Sequence, residues 1–266
     1  MWTKEELDRY ARHIVLPGVG GAGQARLKES AVLVVGAGGL GAPVLLYLAA
    51  AGVGRLGIVE MDRVDLSNLQ RQVLFDTPSI GTLKAEAAKA RLQSLNPHVK
   101  VEVYPTKLSA ANALEILEPY PLVVDCSDNF PTRYLVNDAC VLLDKPLVYG
   151  AIHQFEGQLS VFHHQGGPCY RCLFPSPPPA GTVPSCAEAG VFGVLPGVVG
   201  SLMAAEAIKI LLGLGTLLSG KLLLYEALEP RFRILRLARK ADCPVCGENP
   251  SVTTLQDYEL LCGVSV

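Results

Sequence analysis

Four of the chain's eight cysteines stand in two C-x-x-C pairs, Cys169/Cys172 and Cys243/Cys246. Thiolates at this spacing grip a metal from a single turn, and two such pairs complete a tetrahedral sulfur shell. The pattern predicts a structural zinc site, even across so long a separation. A second group begins at Gly36-Ala37-Gly38-Gly39-Leu40-Gly41, directly after the apolar run Val32-Leu33-Val34-Val35. A strand opening through G-x-G-x-x-G into an Ala/Leu-rich helix is a phosphate cradle. Gly36 allows the turn, Gly38 lets backbone approach a phosphate, Gly41 lets helix and strand pack, and the helix's first N–H groups face an anion. Glu60 ends the next apolar strand, Leu56–Val59, at the spacing where an acid accepts ribose hydroxyls. The polar run Asp62-Arg63-Val64-Asp65-Leu66-Ser67-Asn68-Leu69-Gln70-Arg71-Gln72 has no helical or strand period. In it, Asn68 and Gln70 offer amide donors and Arg71 a planar fork for phosphate. Lys84 falls in the first turn of a helix predicted from Gly81 to about Asn96. A cation there opposes the helix dipole, which suits either a bound phosphate or a solvated side chain. Asp128 follows a strand at 121–126, where it can bind Mg²⁺ or cap the helix that begins at Phe130-Pro131-Thr132.

The elements that must position these groups follow from periodicity. Residues 3–16 open with a Thr3/Glu6 capping box and put Leu7, Tyr10 and Ile14 on one helical face. Arg9, Arg12 and His13 lie off that face, which on spacing alone makes them a solvated charged surface. Gly18 to Gly23 is expected to be a flexible loop. Strands and helices then alternate to about residue 150, the pattern of a doubly wound, mainly parallel sheet. From His153 the rhythm changes: Gln158-Leu159-Ser160-Val161-Phe162 alternates like an antiparallel strand, and further strands are predicted at 221–227 and 231–237. A proline-rich stretch, 174–190, has no core pattern and carries Cys186, either a nucleophile or a free thiol. The fold class is thus α/β, a Rossmann-like doubly wound sheet continuing into antiparallel strands with a four-cysteine zinc site. It is read as one domain over 1–266: a helical segment 1–28, a nucleotide-binding part 29–150, and an antiparallel part with the zinc site, 151–266.

Composition narrows the function classes. The net charge of −2 and the 18% of charged residues give no basic surplus for nucleic acid. The apolar stretch 191–218 contains Pro196, Glu206 and Lys209, charges that are costly in a bilayer, so a buried helix at 198–212 is expected rather than a span. Met1-Trp2-Thr3-Lys4-Glu5-Glu6 lacks the apolar core of a secretory signal, so a cytoplasmic location is expected, with metal rather than disulfides as the use of the paired cysteines.

Taken together, these motifs resemble the MoeB/ThiF adenylyltransferases, bacterial relatives of ubiquitin-activating enzymes. Arg9-Tyr10-x-Arg12-His13, Gly36-x-Gly38-Gly39-Leu40-Gly41, Ser67-Asn68-Leu69-Gln70-Arg71-Gln72, Lys84, Ser127-Asp128-Asn129 and the two C-x-x-C pairs occur in that family's order over nearly the whole chain. The resemblance implies ATP-dependent adenylation of the C-terminal glycine carboxylate of a ubiquitin-like sulfur carrier ending in Gly-Gly, with pyrophosphate as the other product. ATP would be held by Gly36, Gly38, Gly39, Gly41, Glu60, Asp62, Ser67, Asn68, Leu69, Gln70, Arg71, Lys84, Asp128 and Asn129. Mg²⁺ would sit at Asp128, Zn²⁺ at the four cysteines, and Arg12 would reach the neighbouring site of a homodimer. Family relatives often have Asp where this chain has Glu60. Cys186 matches a loop position that some members use for covalent transfer. Implied partners are the carrier and a sulfur donor, a cysteine desulfurase or rhodanese-type protein, in molybdopterin, thiamine or tRNA thiolation; nucleic acid and membrane are not implied.

Two readings compete. A nicotinamide-dependent oxidoreductase would use the glycine turn and Glu60 but leaves Arg71, Lys84, Asp128 and the cysteine pairs without a role. A non-catalytic zinc scaffold has no need of Arg71, Lys84 and Asp128.

Overall fold

Ala31–Val35 form β1, buried at every position. Because strand side chains alternate, Val32 and Val34 enter one core cluster while Leu33 and Val35 enter another on the opposite face. A strand covered on both faces reads as a continuous apolar run, which is what the sequence shows. The computed structural model describes residues 2–178 and 189–258. Within them β1 is joined by β2 (Arg55–Val59), β3 (Lys100–Tyr104), β4 (Leu122–Asp125), β5 (Leu147–His153), β6 (Glu156–Phe162), β7 (Lys221–Glu226) and β8 (Arg231–Arg236). The sheet order is β3-β2-β1-β4-β5-β6-β7-β8. Pairing is parallel from β3 to β5 and antiparallel from β5 to β8. The chain winds outward from β1 in one direction to β3 and then returns to β4. This reversal opens the crevice between β1 and β4 where open α/β sheets bind ligands.

Helices clothe both faces. The helices Gly20–Glu29 (α3), Gly41–Ala50 (α4) and Lys84–Leu95 (α5) cover one; Ala113–Leu117 (α6) and Phe130–Leu142 (α7) cover the other. The expected flexible loop at 18–23 is not what forms: α3 starts at Gly20. Tertiary packing supplies what local glycine content does not, since a Cβ on Gly23 would lie 3.0 Å from Val19 and 3.4 Å from Leu212, and Leu27 is fully buried. The single helix expected over 3–16 is divided as well, into Lys4–Arg9 (α1) and Ala11–Ile14 (α2). Tyr10 lies at the break, its ring filling the space that a side chain on Gly52 would need and its hydroxyl accepting a hydrogen bond from Asn96 at 2.8 Å. The Thr3/Glu6 capping box forms as expected. Glu6 is buried and paired with Lys28, whose ammonium, with the Thr3 amide, holds the carboxyl down at about 2.

The apolar stretch after 190 becomes the helix Leu195–Leu212, numbered α9 after Tyr170–Leu173 (α8). Among the described residues it is the one helix long and apolar enough to cross a membrane by length and composition. Here it lies on the sheet. A Cβ on Gly157 would meet Val199 at 2.4 Å, and Gly200 sits where a side chain would strike Pro43 and the Leu40 carbonyl of α4. Its buried Glu206 is satisfied by Lys209 and by the Leu218 amide at 2.8 Å.

Candidate functional site

A cavity of about 300 Å³ opens at the carboxyl ends of β1, β2 and β4, floored by Gly36, Gly38 and Gly39. Gly36 takes φ +92°, a left-handed conformation that only glycine adopts freely, and a Cβ there would stand 2.9 Å from the Cys126 carbonyl. Gly41 does not line the cavity. Its role is close packing, since a Cβ would lie 2.1 Å from the Gly36 carbonyl.

On the β2 side, Glu60 lines the cavity and staples the glycine turn. Its Oε2 accepts the Ala37 amide at 3.0 Å and its Oε1 accepts the Asp62 amide at 2.9 Å. Each oxygen keeps a lone pair for a further donor. Lys84 is the first residue of α5 and is only 6% exposed, which removes the solvated-lysine reading. Its Nζ lies 3.1 Å from Asp62 Oδ2, and both side chains line the cavity.

The run after Asp62 folds into a short 3₁₀ turn, Leu66–Asn68, capped reciprocally by Asp65 and Asn68. Ser67 gives its hydroxyl and amide to Asp65, and its carbonyl accepts Arg71 Nη1 at 3.0 Å. Ser67, Asn68, Leu69 and Gln70 therefore shape the loop and do not line the cavity, whereas Arg71 and the buried Gln72 do.

On the β4 side the alternative cap role of Asp128 is overturned. Asn129 is the N-cap of α7, its Oδ1 accepting the Thr132 amide at 2.9 Å. Asp128 is exposed at the cavity edge, with a contact of 3.4 Å from Asn129 Nδ2. Cys126 also lines the cavity, but burial pushes its thiol well above the usual range, so it stays protonated and is no nucleophile. Arg12 is exposed and is not among the lining residues of this single chain. Cys186 lies outside the described residues. Ser127, named in the sequence only within the Ser127-Asp128-Asn129 motif, and Arg133, which no sequence signal marked, line the cavity as well.

The paired cysteines, far apart in sequence, do converge. All four are buried with their sulfurs within 4.8 Å of one another, Cys169 and Cys243 at 3.5 Å and Cys172 and Cys246 at 3.4 Å. Sulfurs around one tetrahedral zinc stand about 3.8 Å apart, given Zn–S bonds near 2.3 Å. The donor set fits zinc, and the surrounding backbone is built as two knuckles. The Lys240 amide points at Cys172 Sγ at 3.5 Å, and a Cβ on Gly247 would lie 2.4 Å from the Cys243 carbonyl.

The comparisons agree with this architecture. A sulfur carrier protein adenylyltransferase of Thermus thermophilus is 67% identical, with 99% of each chain covered. The adenylyltransferase and sulfurtransferase MOCS3 of Bos taurus is 55% identical over 99% of this chain, which spans 58% of that longer protein. Among solved structures, MccB of E. coli shares the fold, with TM-score 0.79 and 23% identity over 91% of this chain and 73% of its own. The ThiF family model matches residues 10–245, nearly the whole of the described structure, and the chain belongs to the ThiF family.

Proposed function

We propose that this chain uses ATP to adenylate the C-terminal glycine carboxylate of a ubiquitin-like sulfur carrier. The reading rests on one observation: Arg71, the buried Lys84 and Asp128 line a single cavity over the glycine turn at the sheet's reversal point. The names of the 67% and 55% identical relatives point the same way. A carboxylate oxygen attacks the α-phosphorus, the bond to the β-phosphate breaks, and pyrophosphate leaves with the electron pair. The attacking carboxylate is already ionised near neutral pH, so no general base is needed. The obstacle is bringing an anion to a polyanion, so catalysis rests on charge neutralisation and in-line positioning. In this reading Lys84 and Arg71 serve the phosphates and Glu60 the ribose. Asp128 holds Mg²⁺, which supplies Lewis-acid neutralisation of phosphate oxygens when bound, a donor set of one carboxylate plus phosphate that suits the ion. The four cysteines hold structural zinc. The chain acts as one adenylation unit, within which the antiparallel strands receive the carrier, and a sulfur donor acts on the adenylate afterwards. The test is carrier-dependent ATP–pyrophosphate exchange, with the carrier adenylate detected by mass. Nicotinamide binding without exchange would sink the reading.

Gly39 gives a sharp check. A Cβ there would lie 3.1 Å from Pro196 Cβ and 3.7 Å from Arg71 Cγ, so the two methyls of valine must displace the start of α9 or the arginine. Gly39→Val should lower exchange at least about 100-fold, the scale of a reacting group misplaced by an ångström. Normal turnover would show that no substrate passes over this glycine.

Arg12 belongs to the same proposal as a residue acting across a homodimer. A cation that stays off its own chain's cavity fits a role in trans. Mixing inactive Arg12→Ala with inactive Asp128→Ala should then restore part of the exchange activity through hybrid dimers with one intact site. No recovery in mixtures shown to exchange subunits would overturn the role in trans, and full activity of Arg12→Ala alone would leave Arg12 a surface residue.

A further inference from the structure

Three cavity-lining polar atoms are buried and have no hydrogen-bond partner among the described residues: Gln72 Oε1, Ser127 Oγ and Arg133 Nε. Gln72 is 4% and Ser127 7% exposed, so neither compensates readily with bulk water. Buried polar atoms are nearly always satisfied, so orphans on three residues of one cavity wall mark that wall as a place where a ligand or a small side-chain shift supplies the partners. Arg133 is the charged member. It projects from the first turn of α7, gives Nη2 to the Ser127 carbonyl at 3.3 Å, and sits beside the rings of Phe130 at 5.3 Å and Tyr149 at 5.9 Å. It senses the charges of Asp125 and Asp128 but makes no ion pair among the described residues, unlike Lys84 with Asp62. Asp125 forms no ion pair with it: Oδ1 accepts the Ser127 amide at 2.9 Å, Oδ2 is buried with no hydrogen-bond partner among the described residues, and burial pushes the carboxyl up.

Sheet order assigns a side to this cation. Glu60, Asp62 and Lys84 belong to the β2 side and the glycine turn to β1, whereas Arg133 follows β4, next to β5. Beyond it the wall is completed by Ile152 and by Val191, whose strand-like segment pairs with Gln154 at the end of β5. A nucleotide with its ribose at Glu60 and its phosphates on the glycine turn therefore leaves Arg133 facing the second substrate.

We propose that Arg133, with Ser127 Oγ beside it, binds the C-terminal carboxylate of the carrier protein and holds it in line with the α-phosphorus of ATP. This rests on the adenylation reading and names the subsite within it. A guanidinium matches a carboxylate in a charge-assisted pair, and Arg133 lines the cavity with no ion-pair partner among the described residues. When one carboxylate oxygen becomes the bridging oxygen of the acyl-adenylate, the group loses its charge and the pair weakens. The interaction is therefore stronger in the ground state than afterwards, and its removal acts mainly on the carrier's KM.

The test uses the full chain, Arg133→Met and Arg133→Lys, with a Gly-Gly-ending sulfur carrier that supports exchange, prepared as free acid and as C-terminal carboxamide. Three quantities are read: ATP affinity without carrier, carrier KM in exchange, and binding of the acid against the amide. The native protein should prefer the acid by at least about tenfold, and Arg133→Met should lose that preference and raise carrier KM by about 10–100-fold, as for loss of a charge-assisted pair. Its ATP affinity should stay within about twofold of native. Arg133→Lys, which keeps the charge but not the fork, should fall between; it also decides the matter by the same acid–amide comparison should Arg133→Met fail to fold. Full acid preference in both variants, or loss of ATP affinity with carrier KM unchanged, overturns the assignment while leaving adenylation standing. If no carrier supports exchange with the native protein, both fall together.

Discussion

Asp128→Ala should abolish carrier-dependent exchange, by at least about 1,000-fold, while leaving the protein folded. The size follows from the role proposed for it. In that role one carboxylate would hold an ion able to neutralise phosphate oxygens, and electrostatic stabilisation of that kind is commonly the largest part of a rate enhancement. The fold should be indifferent, because Asp128 is exposed at the cavity edge and Asn129, not Asp128, caps α7. Stability should therefore change by no more than about 0.5 kcal/mol, against the roughly 1 kcal/mol expected if Asp128 were the cap. Two further measurements separate these roles. Thermal melting should superpose on native, and Mg²⁺ should tighten ATP binding to the native protein but not to the variant. Exchange within about tenfold of native would remove Asp128 from the mechanism.

The second large effect belongs to the cysteine cluster. The native protein should carry about one tightly bound zinc per chain, and Cys243→Ser should lose it and melt roughly 5–15 °C lower, the shift that several kcal/mol produces in a chain of this length. The site ties residues 239–252 to the middle of the chain, and the consequences extend beyond the metal. Arg171, between Cys169 and Cys172, makes a buried two-point pair with Asp138 of α7 at 2.8 Å and donates to the Tyr258 hydroxyl at 2.7 Å. Tyr258 in turn donates to Asp138 Oδ2 at 2.6 Å. Breaking a buried pair leaves an uncompensated charge, so loosening the knuckle should be felt in α7 as well as at the tail. Hydrogen exchange should show lost protection over 241–252 and the middle of α7, with β1 to β4 still protected. Metal well below one per chain in protein purified without chelator, or an unchanged melt for Cys243→Ser, would count against a four-cysteine zinc site.

How far the site is readable from sequence follows from the range of the interactions involved. The glycine turn, the capping box at Thr3 and Glu6, the acid closing β2 and both C-x-x-C knuckles are local. Each needs particular residue types within about six positions, and sterics and hydrogen bonding act at that range. Order along the chain, strand against helix, then carried the doubly wound sheet and its antiparallel extension, because periods of 2 and 3.6 residues record which face is buried. The loop expected at 18–23 failed for the converse reason. Glycine weakens a helix locally, but α3 is held by α9, nearly 190 residues later, and nothing in the local sequence reports that contact.

Tertiary structure alone decided the chemistry-bearing details. Lys84 became a buried partner of Asp62, and the cap went to Asn129, freeing Asp128 for the cavity. Ser67, Asn68, Leu69 and Gln70 became the frame of the Arg71 loop instead of the cavity wall. Arg133 shows the limit most plainly. In sequence it is one arginine on a helix, indistinguishable from a solvated charge. Its meaning comes from what surrounds it: two aromatic rings, the Ser127 carbonyl, no ion-pair partner among the described residues, and a place in the cavity wall. The amino-acid order by itself determined which elements form and which residues could bind phosphate or metal. Which of those groups remained unsatisfied was settled only when the chain closed around them, because desolvation depends on every neighbour at once and no local spacing encodes it.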